Sequence, residues 1–284
     1  MSNLNDLGKV VPPPTPGVVR NRRAAWSVRG ELASTPVIVL AVLGFVLPCV
    51  AWIVLSSSGM VDNVFLPTLP QVLLSLARWA AEGDMAADVG ISVARVYAGF
   101  ALAVAVAFPL GVALGTIPPV RALLEPVIDF SRYLPAVAFI PLIMLWVGID
   151  ESAKVAVIFV GTVCQMALLI AGDIARVPSA PIEAARTMGA TNGELVQYVL
   201  IPAAWPAMLD TLRAMMGLAW TYLVVAELVA ANSGLGFSIL KAQRFLQTDR
   251  IFAGILLIGL VGLLTDQAFR WLHRRAFHWH HLRS

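Results

Sequence analysis

The chain has 284 residues, of which 59% are hydrophobic and only 13% charged, with a formal net charge of +3. Soluble globular domains carry about 25% charged residues, so an ordinary soluble enzyme or binding domain is excluded. The basic residues gather towards the two ends, a pattern that concerns membrane orientation and not nucleic acid.

Residues 1–35 carry Pro12, Pro13, Pro14 and Pro16, then Arg20, Arg22, Arg23 and Arg29. This composition predicts a flexible tail whose basic part lies at anionic lipid head groups. The first apolar run begins only after residue 35, so the first helix is expected to be an uncleaved anchor. Pro36–Leu55, Val96–Val120 and Val155–Gly172 are free of charge over 20, 25 and 18 residues. About 20 apolar residues cross a bilayer as a helix, and lipid offers the backbone no partners outside the helix. The expectation is an all-α polytopic membrane protein with a membrane domain over 36–269. Its six spans fall near 36–56, 93–116, 125–148, 153–173, 206–228 and 251–269, followed by a basic tail, 270–284.

Between the first two spans, Val72, Leu73, Leu76 and Trp79 lie at helical spacing in a segment too short to cross, which predicts an interfacial helix over 70–81. Gly111 and Gly115 form a Gly-xxx-Gly pair that permits close helix contact, here expected between two copies of the chain. The third span is irregular, with Pro135 and Pro141 inside it and Asp129 and Arg132 at i, i+3 spacing, where they neutralise each other. Asn232-Ser233-Gly234-Leu235-Gly236 reads as a turn before a short helix over 238–246.

Residues 179–202 are a polar island between apolar runs. Ser179 is placed to cap a first helix, with Pro181 in its opening turn and Glu183 near its positive end. Gly189 stands where a left-handed residue ends that helix. Thr191-x-x-Glu194 is a capping box for a second helix, which Pro202 is expected to interrupt. Twelve Lys and Arg residues fall in the tails, near residue 121 and in 174–200, against six on the other side of the spans. The bias places both tails and the island in the cytoplasm.

Several polar groups sit within the spans. Arg213 lies one turn from Asp210 and reads either as its structural partner or as an attractor of anionic cargo. Glu227 reads as a partner contact, a gate or an interfacial group, and Gln165 as pore-lining or as an interhelical hydrogen-bonding residue. Cys49 and Cys164 lie inside apolar runs and read as small buried hydrophobes. His273, His278, His280 and His281 have no cysteine or following acid to complete a metal site, so they read as a solvated basic tail. No nucleophile triad or catalytic carboxylate pair emerges, which counts against an intramembrane enzyme. No phosphate loop of the GxxxxGK[ST] type is present in the sequence.

The spacing of Glu183, Ala184, Ala185, Gly189, Val199, Ile201 and Pro202 resembles the EAA loop of bacterial ABC importer permeases, with Val199 and Ile201 as conservative departures. The segments at 66–73, 92–100, 141–154, 219–237, 245–256 and 274–279 are similar to the nitrate, sulfonate and taurine subfamily of those permeases. The resemblance implies that Glu183, Ala184, Ala185, Gly189 and Pro202 dock an ATPase. It implies a homodimer in the bacterial inner membrane, with two copies of that ATPase and a periplasmic or lipid-anchored substrate-binding protein. ATP and Mg would be bound by the ATPase, and the permease would need no cofactor. The implied cargo is alkanesulfonate or taurine, then nitrate, with a pyrimidine or another small solute as the alternative.

Overall fold

In a computed structural model residues 34–277 are described, and among them every regular element is helical. Expectations for 1–33 and for His278, His280 and His281 lie outside the described residues. The chain divides into two compact units, the first ending at Val54 and the second starting at Leu55.

Helix α1, Ser34–Ser57, belongs almost wholly to the first unit. From Val37 to Val54 every side chain but Trp52 is exposed, and nearly all are apolar. A helix apolar on all faces suits lipid and not water.

The second unit begins with α2, Leu69–Glu82, whose start is closed by a Thr68–Gln71 capping box. The Thr68 amide donates to Gln71 Oε1 at 2.8 Å. Its apolar face buries Val72 and Trp79, and Trp79 packs with Leu235 and Leu257. A single residue, Gly83, separates it from α3, Asp84–Thr116. After α3 come α4, Pro118–Arg132, a 3-10 turn, Ala136–Phe139, and α5, Ile140–Val147. These pieces are bent by 88° at the break, so the third expected span is a broken one. The remaining elements are α6, Glu151–Ala175; α7, Ser179–Thr187; α8, Asn192–Glu194; α9, Ile201–Ala230; α10, Leu235–Arg244; and α11, Thr248–Ala276. Five helical stretches among the described residues are long and apolar enough to cross a membrane, or six with the bent pair.

The centre of this unit is the contact of α3 with α6. Gly99, Ala103, Ala107, Gly111 and Gly115 recur every fourth residue on α3, which places them on one face. A Cβ at Gly99 would lie 2.7 Å from the Ile158 Cβ, and one at Gly111 would lie 2.7 Å from the Ala167 carbonyl oxygen. The pair Gly111 and Gly115 is thus used inside the chain, against Ala167, Ile170 and Ile174, and not between two copies. A small-residue motif records close approach but not the identity of the neighbour. Around this seam Val96, Phe100, Met166, Met208, Met216 and Leu223 complete the main core.

Candidate coupling turn and translocation surface

Helices α7 and α8 protrude from the end of the bundle where α3 and α6 finish. The α7 start differs from expectation: Pro178, with φ −57° and ψ 148°, takes the cap position and Ser179 is already helical, making no side-chain cap bond. The α7 end is a Schellman closure. The Ala190 amide donates to the Ala185 carbonyl at 3.1 Å and the Gly189 amide to the Arg186 carbonyl at 3.0 Å. Gly189 has φ +88°, a left-handed value that β-branched residues resist. The second start signal forms as spaced. The Thr191 amide donates to Glu194 Oε2 at 2.8 Å, and the Glu194 amide donates to Thr191 Oγ1 at 3.4 Å.

Within the Glu-Ala-Ala triplet, Glu183 and Ala184 are exposed and Ala185 is buried. Ala185 therefore packs the turn from within, which corrects its expected place on the docking face. Met188 and Tyr198 stand out instead, 82% and 68% exposed. Behind the turn a groove of about 1010 Å³ is bordered by Pro118, Val177, Ile182, Arg186, Asn192 and Ile201.

Pro202 does not interrupt the second helix. Asn192 to Val229 is one helical run of 38 residues. Residues Leu195–Leu200 adopt π geometry just before Pro202, which falls in the first turn of α9. The proline lacks an amide and its ring crowds the preceding turn; widening that turn keeps the helix running.

The base of the loop is tied by a group that sequence reading missed. Asp173, 2% exposed near the end of α6, accepts from the Thr211 hydroxyl of α9 at 2.6 Å and pairs with Arg176. Its only sequence signal is an acid placed directly after the charge-free run ending at Gly172.

At the opposite end, Glu227 is fully buried, which rules out interfacial solvation and a pore-lining position within this chain. It accepts from Arg95 Nη1 at 2.7 Å, from the Ser92 hydroxyl at 2.7 Å and from the Gly236 amide at 2.7 Å. Arg95 also donates to the Ser233 carbonyl at 2.8 Å and forks onto Glu151, which Lys154 approaches at 2.7 Å. Asp88 accepts from the Gly234 amide at 2.9 Å and the Ser238 hydroxyl at 2.6 Å. Two buried opposite charges with all their hydrogen bonds engaged are a structural clamp. It binds α3, α6, α9 and the turn before α10.

Arg213 pairs with Asp266 of α11, not with Asp210, and Asp266 also holds Arg270 at 2.8 Å. Asp210 instead lies 4.0 Å from His273. Gln165 is exposed at mid-α6 and lines two cavities, of about 340 and 120 Å³. These cavities follow one another along α6, from Ala175 to Gln165 and from Gln165 to Val160. Arg132 lines both, and Asp129 approaches it at 3.2 Å, the i, i+3 pair.

Residues 97–278 match the family model described as binding-protein-dependent transport system inner membrane component. The chain is 33% identical over 267 residues to the taurine transport system permease protein of Escherichia coli, covering 92% of this chain and 96% of that one. It is 33% identical over 239 residues to a putative aliphatic sulfonates transport permease protein of Bacillus subtilis, covering 83% and 87%. Among solved structures, the inward-facing MetNI methionine ABC transporter superposes with a TM-score of 0.62 at 22% identity, over 69% of this chain and 97% of that one; this likeness concerns the fold. With an EAA-type turn on a continuous helix and a match over most of its length, the chain belongs to the binding-protein-dependent inner membrane components, the membrane-spanning permease subunits of ABC importers.

Proposed function

We propose that this permease works as a homodimer that carries a small oxyanion, alkanesulfonate or taurine first and nitrate next, into the bacterial cytoplasm. Two copies of a separate ATPase bind ATP and Mg and dock on the 179–202 turn, and a periplasmic or lipid-anchored protein delivers the cargo. Both tails and the turn lie on the cytoplasmic side, in keeping with the bias of Lys and Arg. The observation that carries the reading is the exposed, Schellman-closed turn built onto the helix that crosses the membrane. Glu183, Ala184 and Met188 offer its docking surface, Gly189 its reversal and Pro202 the entry to α9. Gln165 faces the pathway, while Arg213 and Glu227 hold the scaffold. The substrate class rests on the two relatives named above.

Transport follows from differential contact and not from bond chemistry. Closure of the ATPases displaces the turn, and the pathway opens alternately to the two sides. The test is uptake of radiolabelled taurine, ethanesulfonate, nitrate and uracil by cells that express the chain with its cognate ATPase and binding protein. Saturable, ATP-dependent uptake of a sulfonate supports the reading. Uptake of uracil alone would replace the cargo, and failure of any ATPase to co-purify would remove the coupling role of the turn.

A further inference from the structure

We infer that Arg132, at the break of the third span, is the residue that receives the negative group of the cargo, in a donor set with Gln165 and Tyr222. The inference rests on the importer reading above and names the anion contact of its pathway. Three observations converge on it. The first is position. The two cavities along α6 share only two residues, Arg132 and Gln165, so whatever moves between them passes this pair. Gln165 is residue 15 of the 25 in α6, well away from either helix end.

The second is backbone. Between Arg132 and Ile140 the chain leaves α-helical geometry and turns through 88°. Non-helical backbone within the membrane persists where protein covers it or where it borders water. Here Tyr133, Leu134 and Val137 are exposed in the single chain, and the 120 Å³ cavity opens beside them.

The third is charge. The larger cavity has two arginines and two carboxylates in local pairs, Arg121 with Glu125 at 3.0 Å and Arg132 with Asp129 at 3.2 Å. The smaller cavity has Arg132 as its single charged residue, together with Gln165, Tyr222 and Ser131, whose hydroxyl already donates to the Ile128 carbonyl at 2.6 Å. It offers N–H and O–H donors and no carboxylate, the complement of a sulfonate or another oxyanion. Asp129 occupies one Nη of Arg132, and a guanidinium has five N–H groups to share. An arginine within a membrane domain is costly unless it faces protein or a watery cavity, and the side chain of Arg132 remains 43% exposed. Arg213, the arginine first suspected from sequence, is committed to Asp266 and borders neither cavity.

Cys164 lines the smaller cavity and supplies a native reporter. In a Cys49→Ser background it is the single thiol of the chain. The complex with the ATPase is reconstituted in vesicles. Modification rates are measured during ATP turnover with 2-sulfonatoethyl and 2-trimethylammonioethyl methanethiosulfonate, the first of which presents an alkanesulfonate. Arg132→Gln should lower the anion-to-cation rate ratio by roughly a hundredfold, because a unit charge on the order of 10 Å away at an effective dielectric near 20 acts on the two probes with opposite sign. Arg132→Lys should restore most of it. In uptake assays Arg132→Gln should cut the maximal rate with little change in half-saturation, which the binding protein sets. An unchanged ratio, or a thiol that reacts with neither reagent, overturns the inference while normal co-purification of the ATPase leaves the importer reading standing. Loss of the ATPase from the complex with the ratio change intact would overturn the importer reading, leaving Arg132 as an anion-attracting group without a transport role.

Discussion

The hydroxyl of Thr211 on α9 donates to the buried carboxylate of Asp173 on α6, at 2.6 Å, across the base of the segment that connects the two helices. Residues 176–200 leave and re-enter the membrane domain between these anchors. The bond fixes the separation of the two helices just where the 179–202 turn begins.

Thr211→Val keeps the shape and removes the donor. A hydrogen bond to a charged group contributes about 1.5–3 kcal/mol, so the purified protein should unfold at a measurably lower temperature. Asp173→Asn should cost less, because the amide still accepts one bond. An unchanged midpoint for Thr211→Val would show that Arg176 alone holds Asp173.

Gly189 separates backbone strain from steric conflict. No atom lies within 4 Å of a Cβ built there, so the left-handed φ is the sole obstacle. Gly189→Val should lose ATPase co-purification and cargo-stimulated turnover while inserting normally, with a local cost of roughly 1–2 kcal/mol. Gly189→Asn, which tolerates this conformation, should retain most of both. Equal loss in the two variants would mean that the turn needs the bare backbone for contact and not for its conformation.

Glu227 and Arg95 predict an asymmetry between single and paired substitutions. Glu227→Gln leaves the buried Arg95 with only the half-exposed Glu151 as counter-ion, and breaking a buried pair costs up to about 3–5 kcal/mol. Expression in the membrane should fall sharply. The pair Arg95→Met with Glu227→Leu should recover part of the loss, since neither buried charge remains between α3 and α9. Thermal denaturation in detergent is the measurement, and full stability of Glu227→Gln would remove the clamp.

Gly111→Leu should destabilise the single chain before it alters any association, because the new side chain meets the Ala167 carbonyl and Ile170. Overpacking of this kind costs about 1–3 kcal/mol or more. Native mass measurement that finds a folded monomer, well behaved but unable to pair, would return the glycine to an interface between copies.

Sequence order carried the parts of this fold that depend on local physics. Charge-free runs located α1, α3 and α6, because a lipid interior admits little else. Thr191 and Glu194 form their box because it needs only a three-residue spacing, and Gly189 is left-handed because its neighbours on both sides demand a reversal. Contacts made over long separations were not legible. Arg213 reads from sequence as a partner of Asp210 at i, i+3 or as an attractor of anionic cargo, yet its partner Asp266 lies on another helix, 53 residues away. Glu227 reads from sequence as a partner contact, a gate or an interfacial group, and only Arg95, 132 residues earlier, reveals its buried structural role. Pro202 was read by its general tendency to break helices, and the π stretch before it absorbs that tendency.

The distance along the chain between Arg95 and Glu227 also orders events during synthesis. Arg95 enters the membrane 56 residues before its half-exposed partner Glu151 is made and 132 residues before its buried partner Glu227. Until Glu227 is made, the long Arg95 side chain has only Glu151 and the aqueous surface to reach for, as arginines near helix ends do. When α9 and the turn after it emerge, Glu227 and the Ser233 carbonyl draw the guanidinium inwards, and the new helices are secured to the old. A nascent chain halted at Val225 should therefore be cleared by membrane proteases faster than one halted at Leu240. Pulse-chase of the two truncated chains reads the difference, and equal half-lives would mean that the cell does not sense this unfinished clamp.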